Sequence, residues 1–119
     1  MSVTAKNKIF VYDTARGFSR FLKSRLNSDY EIEAENKRYK LKKYNITSYQ
    51  CVFYIVNTTE DVAAFSKVYQ QASLAVVGVA DNELVNDFKN FQDIMLLDLQ
   101  LSKNDLFRCI NDTLTSHLV

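Results

Sequence analysis

The chain has no proline and no tryptophan, a single histidine, and only two glycines, Gly17 and Gly78, among its 119 residues. Such a sequence holds no low-complexity linker and no glycine-rich nucleotide loop of the usual kind. The two cysteines, Cys51 and Cys109, both lie in apolar periodic stretches and read as reduced core residues, not as a disulfide framework. No apolar run approaches the ~18 residues a membrane span needs, and the opening MSVTAKNK lacks the apolar stretch of a secretion signal. A cytoplasmic chain is the expectation. The formal charge of +1 leaves no overall field to attract nucleic acid or an anionic membrane. His117 has no cysteine or carboxylate at ligand spacing, so no metal site is expected. No pair of base and nucleophile points to an enzyme.

What is present is an ordinary globular composition, 47% apolar and 24% charged, in a length that suits one core. Residues 1–119 therefore read as a single domain. The organising stretch is 49–57, YQCVFYIVN, in which Cys51 to Val56 are continuously apolar and β-rich. That is the pattern of a strand buried on both faces of a parallel sheet. Residues 9–12, 74–79 and 94–97 are further apolar runs of strand length. Residues 30–35 instead alternate, with Tyr30, Ile32 and Ala34 on one face and Glu31, Glu33 and Glu35 on the other, which suits an edge.

Helical spacing lies between these runs. Phe18, Phe21, Leu22 and Leu26 form one stripe, closed by Asn27-Ser28-Asp29. Thr58 stands three residues before Asp61 in a capping-box-like start, and Val62, Phe65 and Val68 supply the buried face behind it. Asp81-Asn82 caps a short helix. Ser102 to Asp105 opens the last, with Leu106, Ile110, Leu114 and His117 on one stripe. Residues 36–44, NKRYKLKKY, offer only Tyr39, Leu41 and Tyr44 for burial and predict a short, weakly packed helix. Five strands alternating with helices through short loops predict an α/β three-layer sandwich on a five-stranded parallel sheet of order 2-1-3-4-5, the flavodoxin-like arrangement. Its pocket then lies near Asp13, Asn57 and Ala80.

The element order and the fragments KIFVYD, YQCVFYIVN, LAVVGVAD and DIMLLDL resemble the receiver domains of bacterial response regulators across nearly the whole chain. The likeness is one of pattern, without an intact motif. It places the family's acidic pair on Asp13-Thr14, and its phosphorylated aspartate on Ile55, or on Asn57 if the register slips by two. The hydroxyl residue ending strand four falls on Val79, followed by Ala80, and the Lys-Pro after strand five falls on Leu99-Gln100. Phosphoryl transfer to a receiver needs a carboxylate nucleophile, magnesium held by acids, and a lysine and a hydroxyl to neutralise the phosphate. Neither Ile55 nor Asn57 can form an acyl phosphate. The plainest role for Asp13 is a helix N-cap.

The resemblance thus implies a pseudo-receiver that keeps the fold without the switch and uses no cofactor. Such a module acts in signalling through protein interaction, with another protein or with itself as a homodimer. With no effector domain expected after Val119, output comes from the receiver surface. The family's output face, formed by the fourth helix, fifth strand and last helix, falls on Asn86, Lys89, Asn90 and Phe91 together with Lys103, Phe107 and Arg108. Phe91 and Phe107 are the aromatic anchors expected there.

A second reading uses the loop after strand one. Thr14-Ala15-Arg16-Gly17-Phe18-Ser19 loosely resembles the phosphate loop of flavodoxins, with Thr14, Arg16, Gly17 and Ser19 as a cradle for a phosphate-containing ligand. A plain capped helix start is the simpler account. Residues 37–43 carry five positive charges in seven positions, which reads first as a solvated helix face and second as a contact for a phosphate backbone. The neighbouring glutamates offset that field, so nucleic acid is not an expected partner.

Overall fold

In the computed structural model, which describes residues 7–26 and 28–118, the run 51–56 becomes β3 (Cys51–Val56), and every one of its residues is buried. It is the middle strand of a five-stranded sheet in the order β2-β1-β3-β4-β5, with all neighbours parallel. The others are β1 (Asn7–Tyr12), β2 (Tyr30–Glu35), β4 (Ala75–Val79) and β5 (Ile94–Asp98). β3 has no polar face because both of its faces are covered.

One face packs under α1 (Gly17–Leu26) and α4 (Lys103–Leu118): Ile9, Val11, Phe53 and Val76 meet Leu22, Leu26, Ile110 and Leu114. The opposite face packs under α2 (Thr59–Tyr69), α3 (Asn82–Val85) and the 3-10 turn Asn86–Phe88 that follows it: Phe10, Tyr12, Tyr54 and Val77 meet Phe65, Val68 and Phe88. The side-chain period of two along each strand delivers alternate residues to the two layers.

Several expectations need correction. Residues 36–44 do not form a helix. The chain makes two 3-10 turns, Arg38–Lys43 and Ile46–Ser48, because three separated apolar residues cannot support a buried helical stripe. Cys51 is buried as expected, but Cys109 is exposed, since Leu106, Ile110 and Leu114 alone make the inward stripe of α4. His117 is exposed and does not extend that stripe. Asn27, residues 1–6 of the opening segment and Val119 lie outside the described residues. Among the described residues, no helix is long and apolar enough to cross a membrane.

Candidate functional site

In a parallel sheet of this order, the carboxyl ends of β1 and β3 lie at a topological switch point, where a crevice forms. Asp13 leaves β1 there, buried, with its own N–H bonded to the Glu35 carbonyl. Its Oδ2 accepts from the N–H groups of Phe18 at 2.9 Å and Ser19 at 3.1 Å. Its Oδ1 accepts from Ala15 N–H at 3.2 Å and from Asn57 Nδ2 at 3.1 Å. The carboxylate thus sits over the first turn of α1, satisfying amides that have no partner within the helix. A tight turn brings it there. Arg16 occupies the left-handed region at φ 69°, while Gly17 beside it does not need that freedom. In the amide orientation that satisfies both partners, Asn36 Oδ1 accepts from Arg16 Nε and Nη2, both at 2.6 Å.

Asn57 also donates to Thr14 Oγ1 at 3.1 Å, so Asp13, Thr14 and Asn57 form one cluster. Ile55 is separate from it, a buried strand residue pointing into the apolar floor. That floor depends on Gly78: a Cβ there would lie 2.7 Å from Ile55 Cδ1 and 3.0 Å from Leu99 Cδ2. The resulting cavity of about 380 Å³ is lined by Phe18, Phe21, Ile55, Leu99 and Leu106, and among the described residues Asp13 is its one carboxylate and Lys103 its one cation. Val79 and Ala80 lie away from this lining. Ala80 instead accepts through its carbonyl from Gln100 Nε2 at 2.7 Å.

The loop residues weighed as a phosphate cradle are engaged within the chain. The Phe18 and Ser19 amides serve Asp13, Ser19 Oγ donates to the Arg16 carbonyl at 3.0 Å, and Thr14 Oγ1 accepts from Asn57.

Sequence reasoning missed the importance of Asp61 beyond its place in the first turn of α2. It is fully buried and accepts from Tyr12 Oη at 2.7 Å, from the N–H groups of Asn57 at 2.9 Å and Thr58 at 3.1 Å, and from Arg38 Nη1 at 3.4 Å. Tyr54 Oη donates to the Asp61 carbonyl at 2.6 Å, and the Tyr12 and Tyr54 rings stack 4.8 Å apart. Burial first, then the hydrogen bond to Asp61, pushes the Tyr12 hydroxyl well above its ordinary pKa. Burial first, then Tyr12, does the same for Tyr54. The signal available in the sequence was Thr58 three residues before Asp61, with two tyrosines at matching positions of adjacent strands.

The residues expected on the output face lie on both sides of β5. Phe91 joins an aromatic group on the α2 side, 5.0 Å from Phe65 and 4.9 Å from Tyr69 between centroids. Phe107 belongs to the opposite layer, where the Arg25 guanidinium lies 5.6 Å from its ring centroid. Lys89 and Arg108 are exposed, the latter 3.8 Å from Asp105, and Lys103 lines the cavity beside Asp13. The apolar surface between these layers is on β5, where Leu96 is 48% and Met95 38% exposed.

Neither a family model nor a curated protein sequence matches the chain. Solved structures do. A chain of an adenylate cyclase from Rhodopirellula baltica superposes with a TM-score of 0.73 at 14% identity, over 95% of this chain and 90% of that one. The signal receiver domain of an HD domain-containing protein from Pseudomonas fluorescens gives 0.72 at 14% identity, over 98% and 93%. A chemotaxis response regulator of Vibrio cholerae gives 0.64 at 15% identity, over 91% and 98%. Superposition over nearly the whole of these chains, together with the 2-1-3-4-5 parallel sheet found here, gives this chain the CheY-like fold of response-regulator receiver domains.

Proposed function

We propose that the protein is a pseudo-receiver, a signalling module that keeps the receiver fold, is not phosphorylated on aspartate, and works by binding a protein partner or a second copy of itself. The observation that carries this reading is the state of Asp13. Its two oxygens accept four hydrogen bonds from Ala15, Phe18, Ser19 and Asn57. A magnesium ion in a receiver needs several oxygen ligands, acids among them. Here the neighbouring groups are a threonine hydroxyl and an asparagine amide, and the set does not suit that ion. Asn57, brought against Asp13 at the end of β3, is a carboxamide and a poor nucleophile. Ile55 and Leu99 fill the space beneath it with hydrocarbon.

The same engagement of the α1 amides counts against the phosphate-loop alternative. For the binding surface, the exposed Leu96 and Met95 on edge strand β5 replace the pairing of Phe91 with Phe107 as the favoured anchors.

The test is a titration of the isotope-labelled protein with magnesium and then beryllofluoride, followed by amide chemical shifts. No saturable change is expected around Asp13, Thr14 and Asn57. Saturable shifts there in the magnesium step would overturn the reading.

A further inference from the structure

The second crossover leaves an opening in the α2 layer. Its sequence is too polar for a helix, and its two large aliphatic residues, Leu41 and Ile46, join the core of this face without closing the space beside α2. A cavity of about 420 Å³ results, floored by Leu41, Ile46, Ala64 and Val68. Ile46 and Val68 are core residues whose outer surfaces face this hollow. At its rim stand Arg38, Lys42 and Lys67, and among the described residues no carboxylate lines it. Arg38 is held from behind by Asp61, whereas among the described residues Lys42 and Lys67 make no ion pair. Tyr39, 66% exposed, overhangs the same opening.

We infer that this groove is a binding site for a small amphipathic organic anion, its apolar or aromatic body on the Leu41–Ile46–Val68 floor and its anionic group against Lys42 and Lys67. The volume falls in the range of about 300–1,000 Å³ typical of small-molecule sites, with the usual apolar lining and few polar groups. The positive rim selects the sign of the ligand charge, because bringing an anion there neutralises charges that have no ion-pair partner among the described residues. A protein interface needs about 800 Å² from each side, more than a hollow between one turn segment and one helix offers. The site is separate from the Asp13 cluster and does not depend on how that cluster is read.

Two probes with the same apolar body test it: anilinonaphthalene sulfonate and its neutral analogue N-phenylnaphthylamine, each titrated into the isotope-labelled chain. The sulfonate is expected to shift the amides of Leu41, Lys42, Lys67 and Val68 saturably, binding at least about tenfold more tightly than the neutral probe. The double variant Lys42→Glu/Lys67→Glu should remove that preference while leaving amides elsewhere unmoved. Ala64→Trp, which fills the floor, should abolish binding of both. Equal affinity for the two probes, shifts centred on Met95 and Leu96, or an unchanged sulfonate affinity in the double variant would each overturn the assignment. So would tighter binding at the same amides by an acidic Glu/Leu peptide, which would make the occupant a protein segment.

Discussion

The two edges of the sheet differ in kind: β2 is charged and covered, β5 apolar and partly exposed. On β2, Glu31, Glu33 and Glu35 alternate with apolar residues, and the chain that follows folds back over them. Tyr49 Oη donates to Glu33 at 2.8 Å and Tyr44 Oη to Glu35 at 2.9 Å, while the N–H groups of Asn36 and Lys37 each reach Glu35 at 3.0 Å. On β5, the corresponding face carries Ile94 and Leu96, and no charge precedes Asp98 within the strand. Charges along an edge discourage further strand pairing, and an apolar edge invites it. Where the following chain covers this edge the carboxylates must be satisfied locally, and aromatic hydroxyls do so for Glu33 and Glu35 while Glu31 faces solvent. Burial first, then Glu35, raises the Tyr44 hydroxyl to about 12. Burial alone would raise the Glu35 carboxyl, but the Tyr44 hydroxyl and the two amides outweigh it and hold the group below its usual value.

The interior between the edges sets the scale for testing this contrast. Val52 lies fully buried on β3, so Val52→Asp places an unpaired carboxylate where neither edge's remedy can reach. A loss of several kcal/mol is expected, comparable with the roughly 5–15 kcal/mol stability of a whole domain. Thermal unfolding followed by circular dichroism reports it, and a melting temperature near the parent's would refute the central placement.

A smaller effect is expected at the charged edge. Glu35→Ala leaves the Tyr44 hydroxyl and two amides without their acceptor, at a cost of about 1–3 kcal/mol at neutral pH. Because the folded carboxyl titrates below its unfolded value of about 4.3, its contribution is present above that pH and lost as pH falls through the folded value. The difference in urea midpoint between parent and variant should therefore narrow in acid. A difference that stays constant from neutral pH into that range would show that the ionised carboxylate is not what the edge relies on.

The smallest change in stability is expected at the other edge. Leu96→Lys gives β5 the charge that β2 already has, and should alter folding stability by no more than about 0.5 kcal/mol, as exposed substitutions do. Its effect should appear in association: sedimentation of a self-associating parent should show a smaller species for the variant. A large fall in melting temperature would instead make Leu96 a core residue.

Much of this architecture is legible in the sequence, and the reasons differ by region. Cys51 to Val56 reads as a central strand because full burial leaves an unbroken apolar run. Tyr30 to Glu35 reads as an edge because alternation requires one polar face. Asp13 was legible as a helix cap from its place between a strand and an amphipathic stripe. Cys109 misled, because an apolar residue in a periodic stretch can fall just outside the buried arc of its helix.

From sequence alone, then, come the strand order, the parallel sheet and the absence of a carboxylate at positions 55 and 57, since periodicity and residue identity are local properties. Only the tertiary structure decides that Asp61 gathers Tyr12, Asn57 and Arg38, residues up to 49 positions away. Only it assigns Phe91 and Phe107 to opposite faces of the sheet. The basic residues Lys42 and Lys67, in separate elements, likewise meet only around a hollow that the missing helix leaves open. Such contacts depend on how each crossover settles against the sheet, and periodicity reports which side of an element is buried without naming what buries it.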